Sequence, residues 1–340
     1  MRVFRGFHHS ALAPACALTI GNFDGVHRGH QAMLALLRNE AAHRGLPVCV
    51  LTFEPHPRDY FARRAGTPEK APARIATLRD QLSELERCGV DQVVVLRFDE
   101  ALASQSPQQF IDSVLRNGLG ARYVLVGDDF RFGARRAGDY AMLDAAGPAA
   151  GFDVARMMSY EVHGLRVSSS AVREALAAGN LEQAAVLLGR PYSISGHVIH
   201  GRKLGRELGA DPGRFNGFRT LNLRFHHPRP AAHGIFAVRT HGLADQPLDG
   251  VASLGVRPTI EDAGRVLLEV HCLDWPASLG PEGGYGKLVR VELLHKLRDE
   301  ARFEGLEALT AAIRRDVEQA REVLAAHAAV RRQTTRDRIQ

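Results

Sequence analysis

The residues best suited to chemistry stand together early in the chain, as Gly21-Asn22-Phe23-Asp24-Gly25-Val26-His27-Arg28-Gly29-His30. Gly21 and Gly25 let the backbone turn tightly and bring its N–H groups close to a ligand. Gly29 leaves room where a helix begins, and a helix N-terminus attracts anions. His27 and His30, three residues apart, can point at the same phosphate and donate hydrogen bonds as charge builds on a phosphorus undergoing displacement. Such a site needs no protein nucleophile, only in-line placement of two substrates. A bare His-x-Gly-His can equally be two histidines flanking a turn. Its place after a buried strand and before a helix favours the phosphate reading. Metal binding is the weaker rival, because no third His, Cys or Asp stands at zinc-like spacing.

A second cluster, Ser168-Ser169-Ser170 with Arg173 one turn further on, sets hydroxyls at a helix start beside a guanidinium. That combination makes a pocket for anionic oxygens. The serines taken alone also read as ordinary N-cap residues.

These groups need a frame, and the first half supplies one. Apolar runs at Ala15–Ile20, Leu46–Phe53, Gln92–Leu96 and Tyr123–Val126 alternate with helical patterns near Gln31–His43, Arg74–Cys88 and Gln108–Asn117. The last helix opens with Ser106 as N-cap, Pro107 at the first position and Gln109 completing a capping box. Apolar strands joined by crossover helices mean a parallel sheet covered on both faces, a Rossmann-like α/β unit, with ligands beyond the carboxyl ends of its strands. Near residue 188 the pattern changes. Val266–Leu273 and Leu288–Leu294 read as strands with no helix between them, which predicts antiparallel pairing in a small barrel. One long helix, about Leu306–Ala326, closes this second part.

Bulk properties narrow the classes. At 340 residues the chain is comfortable for two cores, and 45% hydrophobic with 24% charged residues is an ordinary globular mix. No apolar run approaches the ~20 residues of a membrane span, and the N-terminal apolar run reads as a core strand rather than a signal peptide. Four scattered cysteines without CxxC spacing suit a reducing cytoplasm. Lys+Arg exceed Asp+Glu by 44 to 38, a balance that suits nucleic acid or small polyphosphate substrates. Residues 329–340 read as a basic, solvated, disordered tail.

GNFDGVHRGH resembles the first motif of the prokaryotic bifunctional riboflavin kinase/FAD synthetase family, a branch of the HxGH nucleotidyltransferases. Further motifs come in order: Thr52-Phe53-Glu54-Pro55-His56-Pro57, Gly127-Asp128-Asp129-Phe130-Arg131-Phe132-Gly133 and Val167–Arg173. The resemblance implies catalytic roles for His27 and His30. It implies phosphate contacts for Gly21, Asn22, Phe23, Asp24, Gly25, Ser168, Ser169, Ser170 and Arg173, and flavin contacts for Asp128, Asp129, Phe130 and Arg131.

It continues through the second half. Gly196, Gly201 and Gly205 lie in a segment similar to the family's glycine-rich kinase loop. No Walker A motif is present, since Gly286-Lys287 is followed by Leu288 and position 281 is not glycine. Thr220 and Asn222 match the Thr and Asn of the family's Pro-Thr-Ala-Asn segment, which implies that they help hold Mg²⁺ with the phosphates of ATP. Their i, i+2 spacing puts two hard oxygen ligands on one face of a strand. Glu269 stands where the family has its catalytic base, sharing a strand face with Leu267 and His271, and Arg298 falls in a matching Arg-Asp-Glu segment that implies a flavin contact. This chain departs from the pattern at Arg219, Leu221 and Ser253, and by an insertion at Ala210–Gly217.

The fold implied is an α/β Rossmann-like HxGH nucleotidyltransferase domain (1–187), then a small antiparallel β-barrel riboflavin kinase domain with a C-terminal helix (188–328). The implied function is conversion of riboflavin to FMN and of FMN to FAD, with ATP, riboflavin and FMN as partners. Membranes are excluded and nucleic acid disfavoured, while a homo-oligomer stays open. Two rival readings remain: an adenylyltransferase with a degenerate flavin-binding barrel, and a nucleic-acid binder suggested by the sequence pI near 9.4.

Overall fold

A computed structural model of the chain describes residues 1–200, 210–211, 215–216, 220–225, 229–256, 266–280 and 282–337. Packing divides the chain into two units, Met1–Pro72 with Leu78–Ser169, and Ala73–Thr77 with Ser170–Gln340.

The first unit is built on a six-stranded parallel sheet of order β1-β4-β3-β2-β5-β6. Its elements are β1 (Arg2–Arg5), β2 (Cys16–Ile20), α1 (Arg28–Arg44), β3 (Val48–Glu54), α2 (Pro57–Arg64), α3 (Leu78–Arg87) and β4 (Gln92–Arg97). Next come α4 (Glu100–Ala103), α5 (Pro107–Phe110), β5 (Ala121–Gly127), α6 (Tyr140–Ala150), β6 (Asp153–Met157) and a small hairpin, β7 (Glu161–Val162) with β8 (Leu165–Arg166). Strand β2 is buried along its whole length, which is what a central strand covered on both faces requires. Leu18, Leu51 and Val124 pack on one side of the sheet, and Leu34, Leu37 and Leu85 from α1 and α3 cover the other.

Three expectations are adjusted. Strands β1 and β6 were not expected; they are sheet edges, half exposed and polar, and lack the continuous apolar run that marks a central strand. Helix α3 begins at Leu78 rather than Arg74, because Arg74 instead exchanges backbone hydrogen bonds with Arg229 and Ala231. The expected Gln108–Asn117 helix starts with the capping box of Ser106 and Gln109, then continues from Ile111 to Gly118 as π-helical turns.

From Ser170 on, the second unit holds α7 (Ser169–Ala177) and α8 (Leu181–Leu188), the latter stopped by Gly189 at φ 74°. Packing groups these helices with the strands C-terminal to them, whereas the change in sequence pattern comes only after α8. Strands β9 (Tyr192–Ile199), β12 (Thr220–Phe225), β13 (Gly234–His241), β14 (Leu248–Val256), β15 (Val266–Cys272) and β16 (Leu288–Arg298) close into an antiparallel barrel of order β12-β15-β14-β13-β16-β9. The inserted segment contributes a short antiparallel pair, β10 (Ala210–Asp211) with β11 (Phe215–Asn216).

Along β15 the residues alternate strictly between buried and half-buried. Val266, Leu268 and Val270 pack inward with Leu223, Phe236 and Val291, and Leu267, Glu269 and His271 take the other face. Helix α9 (Leu306–Asp337) lays Ala320 and Leu324 on Ile235, Ala237 and Val251. It runs past Ala326, so residues expected to form a disordered tail are helical as far as Asp337. Ala, Arg and Gln favour helix, and no Gly or Pro interrupts them.

Candidate active sites

In the parallel sheet the chain leaves β2 toward β3 and β4 on one side and toward β5 and β6 on the other. That reversal opens a crevice beyond the carboxyl ends of β2 and β5. The Gly21–His30 loop leaves β2 there, and Asp128–Phe132 leave β5 beside it.

The loop is held in a conformation few residues adopt. Gly25 has φ 85°, while Phe23 at 47° and Val26 at 41° are in the left-handed region without being glycine. Val26 is β-branched and fully buried, so the surrounding packing must enforce its backbone. His27 caps α1, its Nδ1 accepting from the backbone N–H of His30 at 3.3 Å. With Nδ1 an acceptor, the proton of a neutral ring sits on Nε2 and can be donated outward. The His27 and His30 rings stack at 3.6 Å and 14°, and Phe23 lies 4.8 Å from His30. Burial, and then the neighbouring His27, hold the His30 pKa well below 6.5. Its Nδ1 is buried without a hydrogen-bond partner among the described residues. Gly29 leaves room for His27: a Cβ there would make a tight contact, 3.2 Å from Cε1 and Nδ1 of that ring.

Ser169, the last residue of the first unit, donates its hydroxyl to the carbonyl of Asp24 in the histidine loop at 3.1 Å. Ser168 and Ser170 flank it at the start of α7. Arg173 is one turn along α7, with Nε donating to the Ala73 carbonyl at 2.6 Å. Beyond β5, the Asp128 carboxylate accepts from Ser159 at 2.6 Å, and that hydrogen bond is the main cause of its lowered pKa. Asp129 and Phe130 come next, Phe130 stacked on Phe132 at 5.4 Å. Arg131 pairs with Asp139 at 3.0 Å, the residue that caps α6, which gives it a structural task in this state.

The barrel brings the other chemistry together by strand register. Asn222 on β12 stands opposite Glu269 on β15, and Glu269 in turn opposite Ser253 on β14. Partners in register point to the same side of a sheet, so an amide, a carboxylate and a hydroxyl lie in a row. Thr220 shares that face, opposite His271. Asn222 is 3% exposed, and among the described residues its Oδ1 has no hydrogen-bond partner. A buried carbonyl oxygen left over beside a threonine hydroxyl fits a hard cation that retains waters. Ser253 donates to Glu300 at 3.2 Å.

Two further kinase candidates are placed by the barrel strands. Gly196 is within β9, opposite Val289, and a Cβ on it would lie 3.5 Å from Leu223. It therefore faces the barrel interior within a hydrogen-bonded strand. Arg298 makes a bidentate ion pair with Asp316 of α9 at 2.8 and 2.7 Å and lies over Phe303. Asp316 is 4% exposed, so this pair fastens the closing helix to the barrel. Arg298→Ala strands that carboxylate and should cost about 3 kcal/mol in denaturant unfolding. A loss below about 0.5 kcal/mol would show the pair to be dispensable. Gly201 and Gly205 lie outside the described residues, as does Arg219. Among described residues no group of three His, Cys, Asp or Glu could hold a metal.

A glycine-bent loop with stacked histidines at the switch point of a parallel sheet, joined to an antiparallel barrel with a carboxylate beside an orphaned amide oxygen, defines a two-part phosphate-transferring enzyme. The comparisons agree. The FAD synthetase family model matches residues 9–171 and the riboflavin kinase family model residues 188–324. Bifunctional riboflavin kinase/FMN adenylyltransferases are 45% identical in Escherichia coli (strain K12), over 95% of this chain and 97% of the relative, and 45% identical in Pseudomonas fluorescens, over 96% and 98%. A solved structure titled a macrolide-efflux protein from Streptococcus pneumoniae superposes with TM-score 0.72 at 25% identity, over 94% of this chain and 99% of that one. No described helix here is long and apolar enough to cross a membrane. The chain belongs to the bifunctional riboflavin kinase/FMN adenylyltransferase family.

Gln81, buried beside the histidine loop, carries no motif signal, although its partner Thr52 opens the Thr52–Pro57 motif. A polar residue among the buried positions of an amphipathic helix was the one clue to Gln81.

Proposed function

We propose that this chain makes FMN from riboflavin and ATP at the barrel, releasing ADP, and FAD from FMN and ATP at the crevice, releasing pyrophosphate. The observation that carries the kinase half is the register row of Asn222, Glu269 and Ser253, within a riboflavin kinase match that spans the barrel. That row and that match speak against a degenerate barrel.

At the barrel, Glu269 accepts the proton of the ribityl 5′-hydroxyl as its oxygen attacks the γ-phosphorus of ATP, and the bond to the β-phosphate oxygen breaks. Thr220 and Asn222 would hold Mg²⁺, which when bound neutralises charge on the transferring phosphate. At the crevice, a phosphate oxygen of FMN attacks the α-phosphorus of ATP and pyrophosphate leaves. His27 and His30 donate hydrogen bonds to the oxygens on which charge gathers, and the α1 N-terminus adds its dipole. Ser168–Ser170 and Arg173 hold the phosphate tail of ATP. The basic balance of the chain serves these anionic substrates, so nucleic acid has no part in this reading. Cys16, Cys49, Cys88 and Cys272 are free thiols, which suits a reducing compartment.

Each half-reaction is assayed separately. Riboflavin with ATP should release ADP, and FMN with ATP should release pyrophosphate; EDTA should stop both and added Mg²⁺ restore them. Failure of either half with Mg²⁺ present removes that activity from the reading.

A further inference from the structure

The strained conformation of the histidine loop has to be held from outside the loop. Gly21 N–H donates to the Leu51 carbonyl at 3.1 Å, and at the far end Gln31 donates to the Val26 carbonyl at 2.9 Å. Between them, Nε2 of Gln81 donates to the Asn22 carbonyl at 3.0 Å and lies 3.2 Å from the Thr52 hydroxyl. Gln81 is 8% exposed and Thr52 1%, so neither bond is traded against water. One amide thereby joins the start of the loop after β2 to the end of β3, from a third element, α3. The residue after Asn22 is Phe23, whose positive φ turns its ring against His30.

We propose that Gln81 is a positioning residue for adenylyl transfer: its side-chain amide fixes the Asn22 carbonyl, and so the backbone that aims Phe23, His27 and His30. Without it two buried acceptors lose their donor, and the loop can relax at Phe23 and Val26. Ligand binding by Gln81 is not needed, because the amide acts through the backbone. The inference rests on the reading that FAD forms at the His27/His30 loop.

The test compares Gln81→Met, which keeps length but has no donor, with Gln81→Lys, a long donor able to reach both oxygens. In Gln81→Met the turnover of FMN to FAD should fall between about 10- and 100-fold, with KM for FMN within about threefold of wild type. Gln81→Lys should stay within about threefold of wild type, and riboflavin phosphorylation should be unchanged in both. Wild-type FAD formation by Gln81→Met overturns the proposal, as does equal loss in the Met and Lys variants. Parallel loss of both activities also overturns it, since that marks a general folding role. His27→Ala run alongside separates the two failures. If it too spares FAD formation, the site reading is wrong; if it is inactive while Gln81→Met is normal, only the role of Gln81 is wrong.

Discussion

Replacing His27 or His30 by alanine is expected to slow FAD formation from FMN by about 10²–10³-fold while FMN formation from riboflavin continues at its wild-type rate. The magnitude comes from what each ring supplies. His27 accepts from the backbone at Nδ1 and so presents Nε2–H, and the stacked His30 has a buried nitrogen with no hydrogen-bond partner among the described residues. Donors preorganised in a buried site stabilise developing phosphate charge without any cost of reorientation. Losing the His27 side chain also removes the cap on the first turn of α1, worth about 1 kcal/mol, so unfolding should be measured beside activity. The assay is pyrophosphate release from FMN and ATP, with ADP release from riboflavin as the internal control. Equal loss of both reactions would break the separation into two sites.

Glu269→Gln is expected to do the reverse, lowering riboflavin phosphorylation by about 10²–10⁴-fold and leaving FAD formation from supplied FMN intact. The amide is isosteric and its backbone remains in register between Asn222 and Ser253, so the barrel should fold unchanged. What disappears is the ability to take the hydroxyl proton. ADP release at the wild-type rate from Glu269→Gln would show that Glu269 is not the base and that the row of polar residues serves binding alone.

How much of this was legible depended on whether the signal was local. The central strands β2 to β5 announced themselves as apolar runs because both their faces are covered, whereas β1 and β6, with one neighbour each, carry mixed residues that resemble loop. The His27/His30 loop was readable because its glycines and histidines are adjacent in sequence. The capping box at Ser106 and Gln109 was readable for the same reason. Gly196 was ambiguous, since a glycine that packs under Leu223 and one that cradles a phosphate are the same letter. The neighbours of Glu269 come from β12 and β14, and only the pairing of those strands with β15 makes them neighbours. Likewise Arg298 could not be matched to Asp316 until α9 was laid on the barrel. Gln81 was hidden because its two partners, Asn22 and Thr52, lie on other elements.

The most direct test of two activities on one chain is a chromatographic time course of the purified protein with riboflavin, ATP and Mg²⁺. FMN should appear first and then give way to FAD, with ADP released before pyrophosphate. Riboflavin left unchanged, while supplied FMN is converted to FAD, would contradict the account by showing that the barrel does not phosphorylate riboflavin.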